Sequence, residues 1–347
     1  MSYLVNPYMV SASAEPTIMW KELGRTTLGG TSIEVNVTGL TDNPYLMILA
    51  SYTGSDTVDA FLSFNGDESG IYANRYSRDG GSGSTDVSQG IGLRLDQGTT
   101  NPQFSITYAN NIATNEKLIS GHTVTQNSAG GGSTPNRQVW VGKFADSSNV
   151  IDQVTLDRAS GVFEAGSELV VLGFDPDGTD TTGSFWEELA NVTYGSDQTV
   201  KPQIDTGVFD AKKYLWVQAW IKESTDPDTW FGYGASGTLA DSSGSYAWRY
   251  NDNNTSDGAI SNATTAGWGM GATTRHLNFF IVNNSGAEKL YVGNVLGISA
   301  TGSASVPTSR EYAGKGVDTS DPIRRIAIGQ TTYTAYAGTT IKVWGSD

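Results

Sequence analysis

The chain has 347 residues with 42 glycines and no cysteine, and its 21 Lys+Arg against 36 Asp+Glu give a formal net charge of −15. Without a thiol, disulfide staples, thiolate zinc sites and cysteine nucleophiles are excluded, and the acidic balance works against the phosphate neutralisation that nonspecific nucleic-acid binding depends on. The best apolar runs, 45–50 and 277–282, are strand-sized and fall far short of the ~18–20 residues of a membrane span.

In chain order, the opening Met1-Ser-Tyr-Leu-Val-Asn-Pro-Tyr has neither a basic segment nor a long apolar one, so residues 1–15 read as an N-terminal arm and not as a secretion signal. Trp20–Leu23 could form no more than a helical turn. Period-2 and short β-rich runs bounded by Gly, Asn, Asp, Pro and Ser then predict strands near 32–38, 45–52, 58–64, 72–77, 91–95, 103–108, 117–124, 138–143, 150–156 and 168–174. The Pro/Gly/Asp/Thr stretch 175–183 reads as a linker. Beyond it, Trp186–Leu189 repeats the short turn signal, and strands are expected near 214–222, 230–233, 246–250, 277–282, 289–295, 323–328 and 340–344. No window of a dozen residues holds a 3.6-residue apolar stripe.

The second set of strands copies the first. Trp20-Lys-Glu-Leu23 returns as Trp186-Glu-Glu-Leu189, and Tyr72-Ala-Asn-Arg-Tyr76 as Tyr246-Ala-Trp-Arg-Tyr250. Glu116-Lys-Leu118 returns as Glu288-Lys-Leu290, Pro135 and Lys143 as Pro307 and Lys315, and Ala165-Gly166 as Ala337-Gly338. Matches in one order, at a separation that drifts only between 166 and 174 residues, are what a duplicated domain leaves behind. The fold expected is all-β: two tandem antiparallel β-sandwiches of jelly-roll type, at 16–174 and 184–347.

Each half resembles the jelly-roll domain of structural proteins in tailed phages and archaeal tailed viruses. The residues that carry the resemblance are Leu62-Ser-Phe-Asn-Gly-Asp67 and Phe163-Glu-Ala-Gly-Ser-Glu-Leu169-Val-Val-Leu-Gly173 in the first half. In the second half they are Phe231-Gly-Tyr-Gly234, which lacks the Asn-Gly-Asp, and Tyr336-Ala-Gly-Thr-Thr-Ile341-Lys-Val-Trp-Gly345. The opening Tyr3-Leu-Val-Asn-Pro-Tyr8 adds to it. The resemblance implies a virion component located in the particle: a capsid decoration, turret or head-fibre protein, or a tail or fibre module. Its partners would be other virion proteins and copies of itself, with no nucleic acid, membrane or cofactor. It assigns no catalytic residue, and the protein is expected not to be an enzyme.

Candidate contact residues follow from residue type. Tyr and Arg are enriched at interface hot spots, which makes Tyr72, Arg75, Tyr76, Tyr246, Arg249 and Tyr250 candidates, together with Tyr3, Val5 and Tyr8 of the arm. On a strand, Tyr72, Asn74 and Tyr76 share one face and Ala73 and Arg75 the other, so packing in the sandwich is the competing reading. Exposed tryptophan stacks on sugar rings, and Trp230, Trp248 and Trp268 are the candidates for an alternative role in reading host-surface glycans. No metal site is expected. Asp175-Pro-Asp-Gly-Thr-Asp180 opens like a calcium loop, but the position needing a bidentate carboxylate holds Trp186. His122 and His276, the two histidines, sit at non-equivalent places and have no ligand spacing. Neither a nucleophile elbow nor a phosphate loop is present.

Overall fold

The structure is a computed structural model. It describes residues 20–96, 98–178, 183–199, 203–223, 227–253, 256–267, 274–298, 303, 306–329 and 334–347. Among these, all strand-length regular structure is β. The first repeat contributes β1 (Lys21–Thr27), β2 (Glu34–Thr38), β3 (Tyr45–Tyr52), β4 (Ala60–Phe64), β5 (Tyr72–Arg78) and β6 (Ser84–Gln89). It continues with β7 (Leu93–Arg94), β8 (Gln103–Asn110), β9 (Lys117–Thr125), β10 (Asn136–Phe144), β11 (Gln153–Arg158) and β12 (Glu168–Phe174). The second repeat begins with β13 (Glu187–Thr193), β14 (Ile204–Asp205), β15 (Tyr214–Lys222), β16 (Asp228–Tyr233), β17 (Thr238–Leu239) and β18 (Tyr246–Asp252). It ends with β19 (Ser256–Ala263), β20 (Thr274–Val282), β21 (Lys289–Ile298), β22 (Thr308–Gly316), β23 (Ile323–Gly329) and β24 (Thr340–Ser346).

Each repeat is an antiparallel sandwich of jelly-roll type with a wide and a narrow sheet. The wide sheets run β1-β12-β3-β8-β9-β10-β5-β6 and β13-β24-β15-β20-β21-β22-β18-β19, and the narrow ones β2-β11-β4-β7 and β14-β23-β16-β17. The two orders are equivalent position by position except at one narrow edge. There β7 follows the β5–β6 hairpin in the chain, whereas β17 precedes β18.

Trp20–Leu23 and Trp186–Leu189 do not form helical turns. They lead into the edge strands β1 and β13, which pair with β12 and β24 and carry matching bulges, at Glu22/Gly24 and Glu188/Ala190. A bulge inserts one residue and breaks the period-2 pattern, so a half-exposed edge strand leaves neither a strand nor a helix signature in the sequence.

The central strands of the wide sheets bury both faces. In β3 every residue from Leu46 to Tyr52 is buried, as is every residue of β12 from Glu168 to Gly173. This accounts for their unbroken apolar runs, where a one-sided sheet would alternate. The inward residues of β3 and β12, Leu46, Ile48, Ala50, Leu169 and Val171, join Val154, Leu156 and Trp140 in one core. Leu215, Val217, Ile341, Val343, Phe231 and Tyr291 do the same in the second repeat.

The duplication shows most plainly in buried polar devices. Tyr72 Oη accepts from Phe64 N–H at 2.9 Å and donates to its carbonyl at 3.1 Å, and Tyr246 does the same with Phe231 at 2.8 and 3.3 Å. The Asn111 amide donates to Asn43 and Ile151 carbonyls and accepts from Ile151 N–H, while Asn283 holds Lys212 and Ile323 in the same way. The Lys117 ammonium donates to the carbonyls of Asn115 (3.0 Å) and Asp146 (2.8 Å), and Lys289 to those of Ala287 (2.7 Å) and Asp318 (2.8 Å). Buried backbone groups must find partners, and both copies satisfy theirs with the same side chains.

The chain divides into two compact units. One runs to Arg78 and then through Ser82–Thr123 and Gln138–Trp186; the other is Asp79–Gly81, Val124–Arg137 and Glu187–Asp347. The second unit therefore begins three residues inside the sequence-read domain 184–347 and adds two short segments from earlier in the chain.

Candidate functional site

The Tyr-Ala-x-Arg-Tyr strands β5 and β18 turn their tyrosines inward. Tyr72 and Tyr246 are buried core residues whose hydroxyls are committed to backbone, so they form no contact surface. Tyr76 and Tyr250 are half-buried against the cores. Each carries a guanidinium over its ring, Arg78 at 4.9 Å from the Tyr76 centroid and Arg310 at 4.2 Å from that of Tyr250, a favourable cation–π placement. Tyr72 and Tyr246 thus serve the fold, while Tyr76 and Tyr250 keep part of their surface open. The reason is the strand period: position 72 faces the core, and positions 74 and 76 follow it.

The arginines of the motif face outward and have diverged. Arg75 is exposed and has no hydrogen-bond or ion-pair partner among the described residues. Arg249 is held within the second unit: Nη1 lies 2.7 Å from Asp257 Oδ2, and Nε lies 3.2 Å from both Asp79 Oδ1 and the Pro135 carbonyl. Tyr3, Val5 and Tyr8 lie outside the described residues.

Of the glycan candidates, Trp268 lies outside the described residues and Trp230 is half-buried on β16. Trp248 packs against Tyr250 and Tyr312, with centroids 5.3 and 5.6 Å away. The Gly267 backbone crosses the same rings so closely that an added Cβ would stand 3.1 Å from both Trp248 and Tyr312. That ring is half-buried against its own fold.

A carboxyl clearly altered by its surroundings is Asp96, just beyond β7. It accepts from Tyr52 Oη at 2.8 Å and from Ala60 N–H at 2.9 Å. Burial pushes it up to about 6, opposed by these two hydrogen bonds and by the Arg158 and Arg78 charges. Both oxygens are taken by internal donors, so the group acts as a brace between β3 and β4. A carboxyl raised above its unfolded value of ~3.9 makes the folded chain bind the extra proton, so its burial penalty is absent below about pH 4 and complete above about pH 7. Relative to Asp96→Asn, the wild type should gain ~2 kcal/mol of stability as pH falls from 7 to 4. Urea denaturation across that range measures this, and parallel profiles would contradict it.

Asp175 closes a turn, its side chain accepting from Asp177 N–H at 3.0 Å and its carbonyl from Gly178 N–H; Asp180 lies outside the described residues. Among the described residues no three His, Asp or Glu side chains are grouped as a metal would need. His122 lies on β9 and His276 on β20, strands that are not equivalent. Burial lowers the His276 pKa.

A pair not singled out from the sequence is more informative. In the second unit Lys315 and Glu288 form a fully buried ion pair, Nζ to Oε2 3.2 Å, and both reach the segment 124–137: Lys315 donates to the Ser128 carbonyl and Glu288 accepts from Gly130 N–H. Arg137 of the same segment meets Glu311 at 2.6 Å. The equivalent Lys143 and Glu116 also pair, at 3.0 Å, but both are about half exposed. The letters were visible as a repeat match; what differs is burial, which the letters do not encode.

No protein-family model matches the chain and no curated protein matches it, so the resemblance to virion proteins has no family match behind it. Among solved structures, the LG1-3 region of the laminin alpha2 chain is similar at a TM-score of 0.21 and 8% identity, over 92% of this chain and 61% of that one. Mouse laminin alpha1 domains LG4-5 give 0.18 and 9%, over 99% and 93%, and the PBSX exported protein XepA 0.18 and 8%, over 96% and 88%. The chain thus spans about 61% of the length of the laminin alpha2 fragment. Likeness at this level carries no functional argument.

Proposed function

We propose that the protein is a virion structural component, a capsid decoration, turret or head-fibre subunit that works by assembly and not by catalysis. The observation that carries this reading is which residues the two copies share. Tyr72/Tyr246, Asn111/Asn283 and Lys117/Lys289 all satisfy the backbone of their own fold. The outward positions keep several letters but not their surroundings, Arg75 being exposed and without a partner among the described residues and Arg249 tied down. A duplicated building block keeps its frame and varies its faces. Asp96, whose raised pKa is otherwise the mark of a catalytic acid, is spent on internal donors. Glycan reading is the weaker alternative, because Trp248 is half-buried and packed against Gly267, Tyr250 and Tyr312.

In gradient sedimentation of particles from the virus that encodes the chain, the protein should travel with the particles in a fixed ratio. A version lacking residues 2–14 should stay folded and remain in the soluble fraction, as the arm expectation requires. Full-length protein found wholly at the top of the gradient would contradict the assignment.

A further inference from the structure

Four outward positions on or beside the wide sheet change environment between the copies. In the second unit Leu290 is 1% exposed, and Ala313, Lys315 and Glu288 are buried as well. Their equivalents in the first unit are open: Leu118 is 66% exposed and Val141 50%, and Lys143 and Glu116 are about half exposed. Arg75, the equivalent of Arg249, is exposed and unpartnered among the described residues. In the second unit the polar members of this face are engaged by segments 79–81 and 124–137: Ser128 and Gly130 meet the Lys315–Glu288 pair, and Asp79 and Pro135 meet Arg249.

The clasp that shapes those segments is built a second time. Asp79 has φ +47°, its N–H donates to the Arg137 carbonyl at 2.9 Å, and its carboxylate accepts from Arg137 N–H at 2.7 Å. Asn253 has φ +48°, its N–H donates to the Ser309 carbonyl at 2.8 Å, and its amide oxygen accepts from Ser309 N–H at 2.8 Å. Asn253, Pro307 and Ser309 are exposed, and Val306 is 82% exposed.

We infer that the outer face of the first repeat at Leu118, Val141, Arg75 and Glu116–Lys143 docks a second copy of this chain, which supplies Asn253 and Val306–Ser309. The chain carries one acceptor face already filled and an equivalent one left bare, and its second clasp presents an exposed apolar residue beside Pro307. By the same equivalence, Arg75 would donate to the Pro307 carbonyl of the incoming copy as Arg249 does to that of Pro135. An apolar centre with a polar rim suits such an interface. Acceptor and donor are different surfaces, so the contact is heterologous and generates a ring or an open row of subunits. The inference names a partner for the proposed assembly role, yet it is tested on the purified chain without particles.

Sedimentation velocity of the full chain from about 1 to about 300 μM should show a mass that rises with concentration. Leu118→Glu and Val306→Asp alter exposed side chains, so both should retain the wild-type far-UV spectrum while weakening association about tenfold or more. The two variants mixed should pair once and stop at two chains, because one intact acceptor meets one intact donor. A monomer at every concentration, or association unchanged by either substitution, would overturn the inference. Co-sedimentation with particles would stand or fall separately.

Discussion

Trp140→Ala should lower the unfolding free energy of the first repeat by about 3–5 kcal/mol, the usual cost of emptying a core aromatic site. Trp140 is buried in the middle of β10, opposite Tyr76 across the strand pair. Its ring lies flat enough on β9 that a Cβ at Gly121 would stand 2.3 Å from Cζ2. Removing the ring leaves a hole bounded on one side by a strand backbone, which collapses less readily than side chains do. Calorimetry should show the first-repeat transition lowered by roughly 10 °C, with Trp220→Ala on an exposed position as the mild control. A loss below about 1 kcal/mol would show that the site relaxes or that the ring is not packed as described.

Lys315→Ala should be comparably severe, and Lys143→Ala nearly silent, although the two lysines occupy equivalent positions. Breaking a buried pair by removing one partner costs about 3–5 kcal/mol because the remaining charge is stranded, and Glu288 would be left buried with only Gly130 N–H beside it. Exposed pairs are worth about 0–1 kcal/mol, and Lys143–Glu116 is open to solvent. Replacing both buried partners together, as Glu288→Gln with Lys315→Met, should recover part of the loss, since no charge is then stranded. Chemical denaturation of the four proteins decides the matter. Equal costs at Lys315 and Lys143 would mean that the two faces share one environment, which would also remove the ground for a bare acceptor face.

The repeat itself was legible in large part because many of the shared letters hold the fold. Tyr72 and Tyr246, or Lys117 and Lys289, survive duplication since each satisfies buried backbone of its own fold. The apolar runs at 45–50 and 277–282 marked strands correctly, and their lack of alternation carried the further message that both faces are covered. Edge strands β1 and β13 were hidden by their bulges. Of the two narrow-edge strands, β7 fell within the strand expected near 91–95, whereas the two-residue β17 has no period to read and was not expected. Residue type misled at Tyr72 and Tyr246: a tyrosine suited to an interface is equally suited to a core with one carbonyl to satisfy. Asp96 and the Lys143/Lys315 contrast were out of reach, since desolvation depends on neighbours distant in the chain.

The most direct test of the assembly account is imaging of intact particles carrying the labelled chain, with the label's position averaged over many particles. The account expects density for two tandem sandwiches at regular, symmetry-related points on the outside of the particle, one set per site. Particles whose averaged density lacks the chain, with the label confined to unassembled protein, would contradict it.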